Sequence, residues 1–244
     1  MRDALNSDSD SESLDDASRL VLQLQPDSSA AWTIRKSLLK EYSDRSSLDD
    51  ELRWVSLVLT SHPKSGDAWT HRKNIIDRLV EINDQSLICK DLVFSEISNI
   101  EDQTDRHPHH YYAWAHWGYI FEKFPCFLSE MIQEVESFFR RILVKNPTHY
   151  GVYHYLIRWG VYITKDLEIS SLLPYLLTQV EAVPFDFWAS ESFCQFLYAS
   201  LLVLKDFPLS TENLEISCQL ALSALPGEGE WPHYFRNKIL GFRV

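Results

Sequence analysis

Apolar side chains recur along the chain at helical rather than alternating steps. Leu48, Leu52, Val55 and Leu59 follow steps of four and three, Val135, Phe138, Phe139 and Ile142 fall at i, i+3, i+4 and i+7, and Leu87, Leu92, Val93 and Ile97 keep a similar rhythm. Such spacing puts each set on one face of an α-helix and leaves the opposite face polar. The first residues break the pattern: Asp3, Asp8, Asp10, Glu12, Asp15 and Asp16 stand among serines with almost nothing apolar to bury. Composition of that kind predicts an acidic disordered tail over 1–13, ahead of a helical-repeat domain over 14–244.

A longer period overlies the helical one. Pro26 is followed by Trp32 and Arg35, and Pro63 at the same distances by Trp69 and Arg72. Pro108 leads to Trp114 with Trp117 in the arginine slot, and Pro147 leads to Tyr153 with Leu156 there. The steps between these prolines are 37, 45 and 39 residues, and a further 37 reaches Pro184. A period of that size is the signature of stacked helical hairpins.

The residue types have a physical reason. Proline ahead of a helix stops the preceding one and fixes the entry of the next. Trp and Arg three residues apart share a helical face, where the aromatic fills the gap between hairpins and the guanidinium pairs with a carboxylate or a helix C-terminus of a neighbour. The expected units are 20–60, 61–105, 106–145 and 146–182, with a degenerate unit over 183–244. Residues 14–24 are the candidate cap of the first unit, and the longer step before Pro108 implies extended helices or a larger loop near 81–107. The predicted fold is all-α: a right-handed solenoid, or α-α superhelix, of roughly ten to twelve helices. In it Trp32, Arg35, Trp69, Arg72, Trp114, Trp117 and Tyr153 are packing residues. Scarce glycine (7) and proline (10) in 244 residues agree with long helices and short loops.

Charge narrows the choice of partner. The formal net charge of −12 leaves no broad field that would attract phosphate backbones or anionic lipid, so neither nucleic acid nor membrane insertion is expected. Cys89, Cys126, Cys194 and Cys218 form no CxxC pair and read as reduced core thiols of a cytoplasmic protein. The N-terminus is too acidic for a signal or transit peptide, and no apolar run reaches the roughly 18 residues of a membrane span.

The segments 25–39 (QPDSSAAWTIRKSLL), 62–76 (HPKSGDAWTHRKNII) and 107–120 (HPHHYYAWAHWGYI) resemble the first three repeats of protein prenyltransferase alpha subunits. The resemblance covers about residues 20–160 well and the remainder weakly. It implies a non-catalytic alpha-type subunit that wraps around a separate beta subunit, of the Rab geranylgeranyltransferase type. The beta subunit would hold the catalytic zinc and the isoprenoid diphosphate, with no cofactor on this chain. The implied reaction moves a geranylgeranyl or farnesyl group to a C-terminal cysteine of a protein substrate. His109 stands where the family places a lysine that contacts the departing diphosphate, Tyr111 keeps the family's tyrosine, and Tyr112 replaces a common histidine. No residue is assigned a firm catalytic role.

Within HHYYAW (109–114), two tyrosines beside two histidines cannot all face one core, so some are exposed. Aromatics with polar tips suit protein interfaces. His109, His110, Tyr111 and Tyr112, with Lys64 at the equivalent place one hairpin earlier, are therefore the candidate partner- or substrate-facing residues. The aromatic stretch 185–198 reads as simple core. His107, His109, His110 and His116 lack an HExxH arrangement and a partner acid or cysteine at helical spacing, so no metal site is expected. No nucleophile elbow, phosphate-binding glycine loop or carboxylate pair is apparent. The rival to a prenyltransferase subunit is a protein-binding scaffold of the same fold without transferase activity.

Overall fold

The computed structural model describes residues 2–82, 85–107, 109–164, 169–207 and 209–241, with side chains described from residue 13 onward except those of 85–89. Thirteen α-helices and two short 3-10 turns, with no strand, make up the regular structure of the described residues. They are α1 (Arg2–Leu24), α2 (Ser29–Glu41), α3 (Arg45–Ser61), α4 (Gly66–Ile82), α5 (Gln85–Arg106), α6 (Tyr111–Lys123), α7 (Pro125–Glu130), α8 (Ile132–Lys145), α9 (Tyr150–Thr164), α10 (Leu172–Val180), α11 (Glu191–Lys205), α12 (Thr211–Ala224) and α13 (Glu230–Leu240). The 3-10 turns are Ile169–Ser171 and Phe185–Phe187. The chain is an all-α protein of helical hairpins.

Two compact units divide it: Met1–Gln103 with Tyr112–Phe124, and Thr104–Tyr111 with Pro125–Val244. In the first, the closest packing joins α1 to α2 and α3 to α4. Each of these hairpins turns over a proline, Pro26 or Pro63, so the proline lies inside a packed pair instead of opening one. The natural unit therefore sits about half a period away from the boundaries 20–60 and 61–105. In the second unit α9 packs on α8, α10 and α11, and α11 packs on α12 and α13.

Two expectations meet the helices directly, and a third needs correction. Helix α1 runs Arg2–Leu24 and so includes most of the stretch 1–13 that composition predicts to be an acidic disordered tail. The reason lies in backbone chemistry: no glycine or proline interrupts the chain before Pro26, so the helix that Leu22 anchors in the core extends back without a breaker. The long step before Pro108 is taken up by α5, whose 22 residues form the extended helix that was one of the two alternatives expected near 81–107, and Pro108 itself lies outside the described residues. The stretch 185–198 is only partly core. Phe193, Cys194, Phe196 and Leu197 are buried, whereas Phe185 is 69% exposed and Phe187 is exposed as well, because the 3-10 turn lifts them off the packed face of α11.

The cysteines also divide. Cys194 is buried, Cys218 half-buried and Cys126 exposed, while the side chain of Cys89 lies outside the described residues. No helix among the described residues is long and apolar enough to cross a membrane.

Candidate functional site

The proline-to-aromatic spacing has a definite cause. The indole Nε1–H of Trp32 donates to the carbonyl of Pro26 at 2.7 Å, and that of Trp69 donates to Pro63 at 2.8 Å. In the second unit the phenol of Tyr153 donates to Pro147 at 2.7 Å. A side-chain donor six residues past the proline reaches back over the first helical turn and satisfies a carbonyl that the turn leaves without a helical partner. Only an aromatic with a polar tip can fill the core and make this bond, which is why tyrosine replaces tryptophan at 153 without loss of the pattern. Two residues after the proline stands a cap: Ser28 Oγ accepts from Ala31 N at 3.4 Å, Ser65 Oγ from Ala68 N at 3.3 Å, and His149 Nδ1 from Gly151 N at 3.0 Å.

Arg35 and Arg72 are fully buried and organise two ionic clusters of the same design. Arg72 grips Glu96 with two parallel bonds, Nε to Oε2 at 2.8 Å and Nη2 to Oε1 at 2.7 Å, while its Nη1 donates to Ser56 Oγ at 2.7 Å. His116 donates from Nε2 to the same carboxylate at 2.8 Å, and its ring lies 5.0 Å from that of Trp69. One hairpin earlier, Arg35 Nε donates to Glu51 at 3.0 Å, His71 Nε2 lies 2.6 Å from the same carboxylate, and the His71 ring is 5.3 Å from Trp32. That cluster also takes in Asp15, bonded to Arg35, to Arg19 at 2.8 Å and to the Tyr42 hydroxyl at 3.1 Å. Residues of α1 thus complete the first cluster, so the segment 14–24 is an integral partner of α2 and α3.

Electrostatics fixes the charge states in the second cluster. Burial would raise the Glu96 carboxyl, but the Arg72 guanidinium and the hydrogen bond from His116 outweigh it and hold the group at about 2. Burial lowers the His116 imidazole against the pull of Glu96, with Arg72 adding to the effect. The cluster therefore contains one cation, one anion and a neutral imidazole that donates through Nε2. It is a built-in structural joint whose carboxylate is fully buried and held by three hydrogen bonds.

Glu51, Glu96 and His71 are the residues that sequence reasoning missed, and the signal was present. Glu51 and Glu96 each stand twelve residues ahead of the turn prolines Pro63 and Pro108, and His71 and His116 each stand two residues after a repeat tryptophan. At the corresponding later positions the chain substitutes apolar residues together. Trp117 and Leu156 take the arginine slot, Val135 and Leu172 the glutamate slot, and all four are fully buried. Exchanging a whole buried ion pair for apolar residues avoids an unpaired charge and costs little.

The candidate interface residues separate. Lys64 and Tyr112 belong to the first unit, His109, His110 and Tyr111 to the second. Lys64 and His109 are exposed, Tyr111 is 75% exposed and Tyr112 is 36% exposed. Tyr112 rests on the start of α4, where a β-carbon on Gly66 would stand 3.2 Å from its ring. His110 is buried and does not present itself to solvent, because its position two residues after Pro108 is the inward-facing cap position that Ser28, Ser65 and His149 occupy elsewhere.

His109 stacks on His149 with ring centroids 5.1 Å apart at 18°. Burial, together with the charge that His109 can carry, lowers the His149 imidazole to about 4, which suits its role as an acceptor. In the unfolded chain the imidazole binds a proton near its ordinary value of 6.5. The His149 contribution to stability is therefore present above about pH 6.5 and is lost as pH falls toward 4. Urea midpoints measured across this window should slope less in His149→Ser, which keeps the cap and removes the titration. An unchanged slope would count against this origin. Among the described residues no three His, Cys, Asp or Glu side chains converge to hold a metal ion.

Residues 48–79 and 93–124 match the protein prenyltransferase alpha subunit repeat. Each matched stretch runs from one helix, α3 or α5, into the helix that carries the repeat tryptophan, α4 or α6; the first contains Glu51, His71 and Arg72 and the second Glu96 and His116, so the Arg72–Glu96–His116 joint ties one stretch to the other. No curated protein matches the chain.

Proposed function

We propose that this chain, which carries protein prenyltransferase alpha subunit repeats, serves as the non-catalytic alpha-type subunit of a protein prenyltransferase. In this reading it works in the cytoplasm as one half of a heterodimer with a beta subunit of the Rab geranylgeranyltransferase type. The complex transfers a geranylgeranyl, or alternatively a farnesyl, group to a C-terminal cysteine of a protein substrate. In its first three repeats it resembles the divergent member protein prenyltransferase alpha subunit repeat-containing protein 1. The observation that carries the reading is the repeat matched over 48–79 and again over 93–124, with Trp69 on the Pro63 carbonyl and the buried Arg72–Glu96–His116 joint tying the two segments together.

The division of labour follows. Zinc and the isoprenoid diphosphate belong to the beta subunit, and this chain contributes surface. Its buried arginines are committed to Glu51 and Glu96, so they do not reach a bound diphosphate. The exposed Lys64, His109, Tyr111 and Tyr112 are the residues available to a partner or a protein substrate.

A scaffold of the same fold without transferase activity is the second reading, favoured by His109. Its imidazole stacks on His149 and supplies a weaker fixed charge than the lysine of the family pattern. Co-expression with a Rab geranylgeranyltransferase-type beta subunit, followed by transfer of a labelled isoprenoid to a substrate with C-terminal cysteines, distinguishes the two. A stable complex whose transfer activity depends on this chain is expected. A chain that binds no beta subunit removes the first reading, and a complex without transfer supports the second.

A further inference from the structure

We propose that the face of the first unit formed by α2, α4 and α6 is a docking groove for an acidic peptide segment of a partner protein. Between α2 and α4 lies a groove of about 520 Å³ lined by Lys36, Leu39, Lys40, Asn74, Asp77 and Arg78, with Glu81 at its end. Helix α6 extends it, because the Tyr119 hydroxyl donates to Asp77 at 2.9 Å, and Lys73 lies 5.4 Å from the Tyr119 ring.

The charges do not cancel. Asp77 is neutralised by Lys123, and Glu81 by Arg78 at 3.1 Å. Arg78 is further fixed by two bonds of 3.3 Å to the carbonyl of Tyr42. Lys36, Lys40 and Lys73 form no ion pair with any described residue, and Lys36 and Lys40 are exposed one helical turn apart. In a chain of net charge −12, two exposed lysines without an ion-pair partner along one groove, with Lys73 beside it over the Tyr119 ring, are a local reversal of sign.

The chemistry of the lining selects the ligand. The cations available are lysines, which act as mobile point charges, whereas the planar fork that matches phosphate is tied up at Arg78. A long polyphosphate would meet the negative field of the rest of the chain, while a short run of Asp and Glu meets only the groove. Leu39 supplies apolar floor, and the Asn74 amide can serve a peptide backbone. The groove is independent of the beta-subunit reading: a chain that binds no beta subunit still carries it.

Fluorescence anisotropy with the full chain tests this, using a fluorescein-labelled peptide rich in Asp and Glu and its Asn/Gln counterpart. The acidic peptide should bind at low ionic strength, and affinity should fall about tenfold or more as salt is raised into the range that screens surface charge. Lys36→Glu with Lys40→Glu should weaken binding by at least about tenfold with an unchanged melting temperature, whereas Lys90→Glu on α5 should bind as the parent does. Three results would overturn the proposal: no binding of the acidic peptide at low salt, equal binding of the Asn/Gln peptide, or equal binding by the double variant. Tighter binding of a single-stranded oligonucleotide than of the acidic peptide would overturn it too.

Discussion

Truncating Glu96 to alanine is expected to lower the free energy of unfolding by about 3–5 kcal/mol, more than any substitution on the surface of the chain. Glu96 is fully buried and receives two bonds from Arg72 and one from His116. Removing it leaves the Arg72 guanidinium in the core with only Ser56 and the Leu52 carbonyl, at 2.7 and 3.4 Å, as acceptors. The lost attraction is the smaller part of the damage; the larger part is a desolvated cation with no counter-charge. Equilibrium urea unfolding measures the change.

The double variant Arg72→Leu with Glu96→Leu provides the control, since it removes both charges and should recover much of the loss. The chain makes this exchange itself with Leu156 and Leu172. The pH dependence has a defined sign. A carboxyl held at about 2 when folded and 4.5 when unfolded contributes stability above about pH 4.5 that disappears as pH falls toward 2, and Glu96→Ala should lose that part of the acid slope. A loss below about 1 kcal/mol in the single variant would mean that Arg72 finds other partners and that the cluster is no joint.

What could be read beforehand divides along a physical line. Helical period, turn prolines and the in-register tryptophans are local or strictly repeated, so the all-α hairpin architecture was legible from spacing alone. Pairing across helices was not. Arg72 and Glu96 are 24 residues apart and Arg35 and Glu51 are 16 apart, so the variable loop and helix lengths between them hide a contact that the fixed distance from glutamate to proline would have exposed. Direction within a turn was equally hard to read. His110 and Tyr111 are neighbours in sequence, yet one is buried at a cap position and the other points outward, a difference set by the first turn of α6 and not by polarity.

Trp69 to alanine is expected to cost about 3–5 kcal/mol, with any effect on partner binding following from lost structure. The ring is buried, lies against His116, and closes the Pro63 turn through its N–H bond of 2.8 Å. Two further variants separate these contributions. Trp69→Phe keeps an aromatic ring but cannot donate, so the Pro63 carbonyl loses its partner; because Pro63 is half-buried and reached by water, the added cost should be about 1 kcal/mol beyond the lost volume. Trp69→Tyr restores a donor at the ring tip, as Tyr153 does over Pro147, and should lie between the parent and Trp69→Phe. If Trp69→Phe and Trp69→Tyr were equally stable, the bond to the proline carbonyl would not explain the six-residue spacing, and packing volume alone would. If Trp69→Ala kept the parental unfolding midpoint, the repeat tryptophan would be no packing residue, and a direct role at a partner surface would replace the structural one.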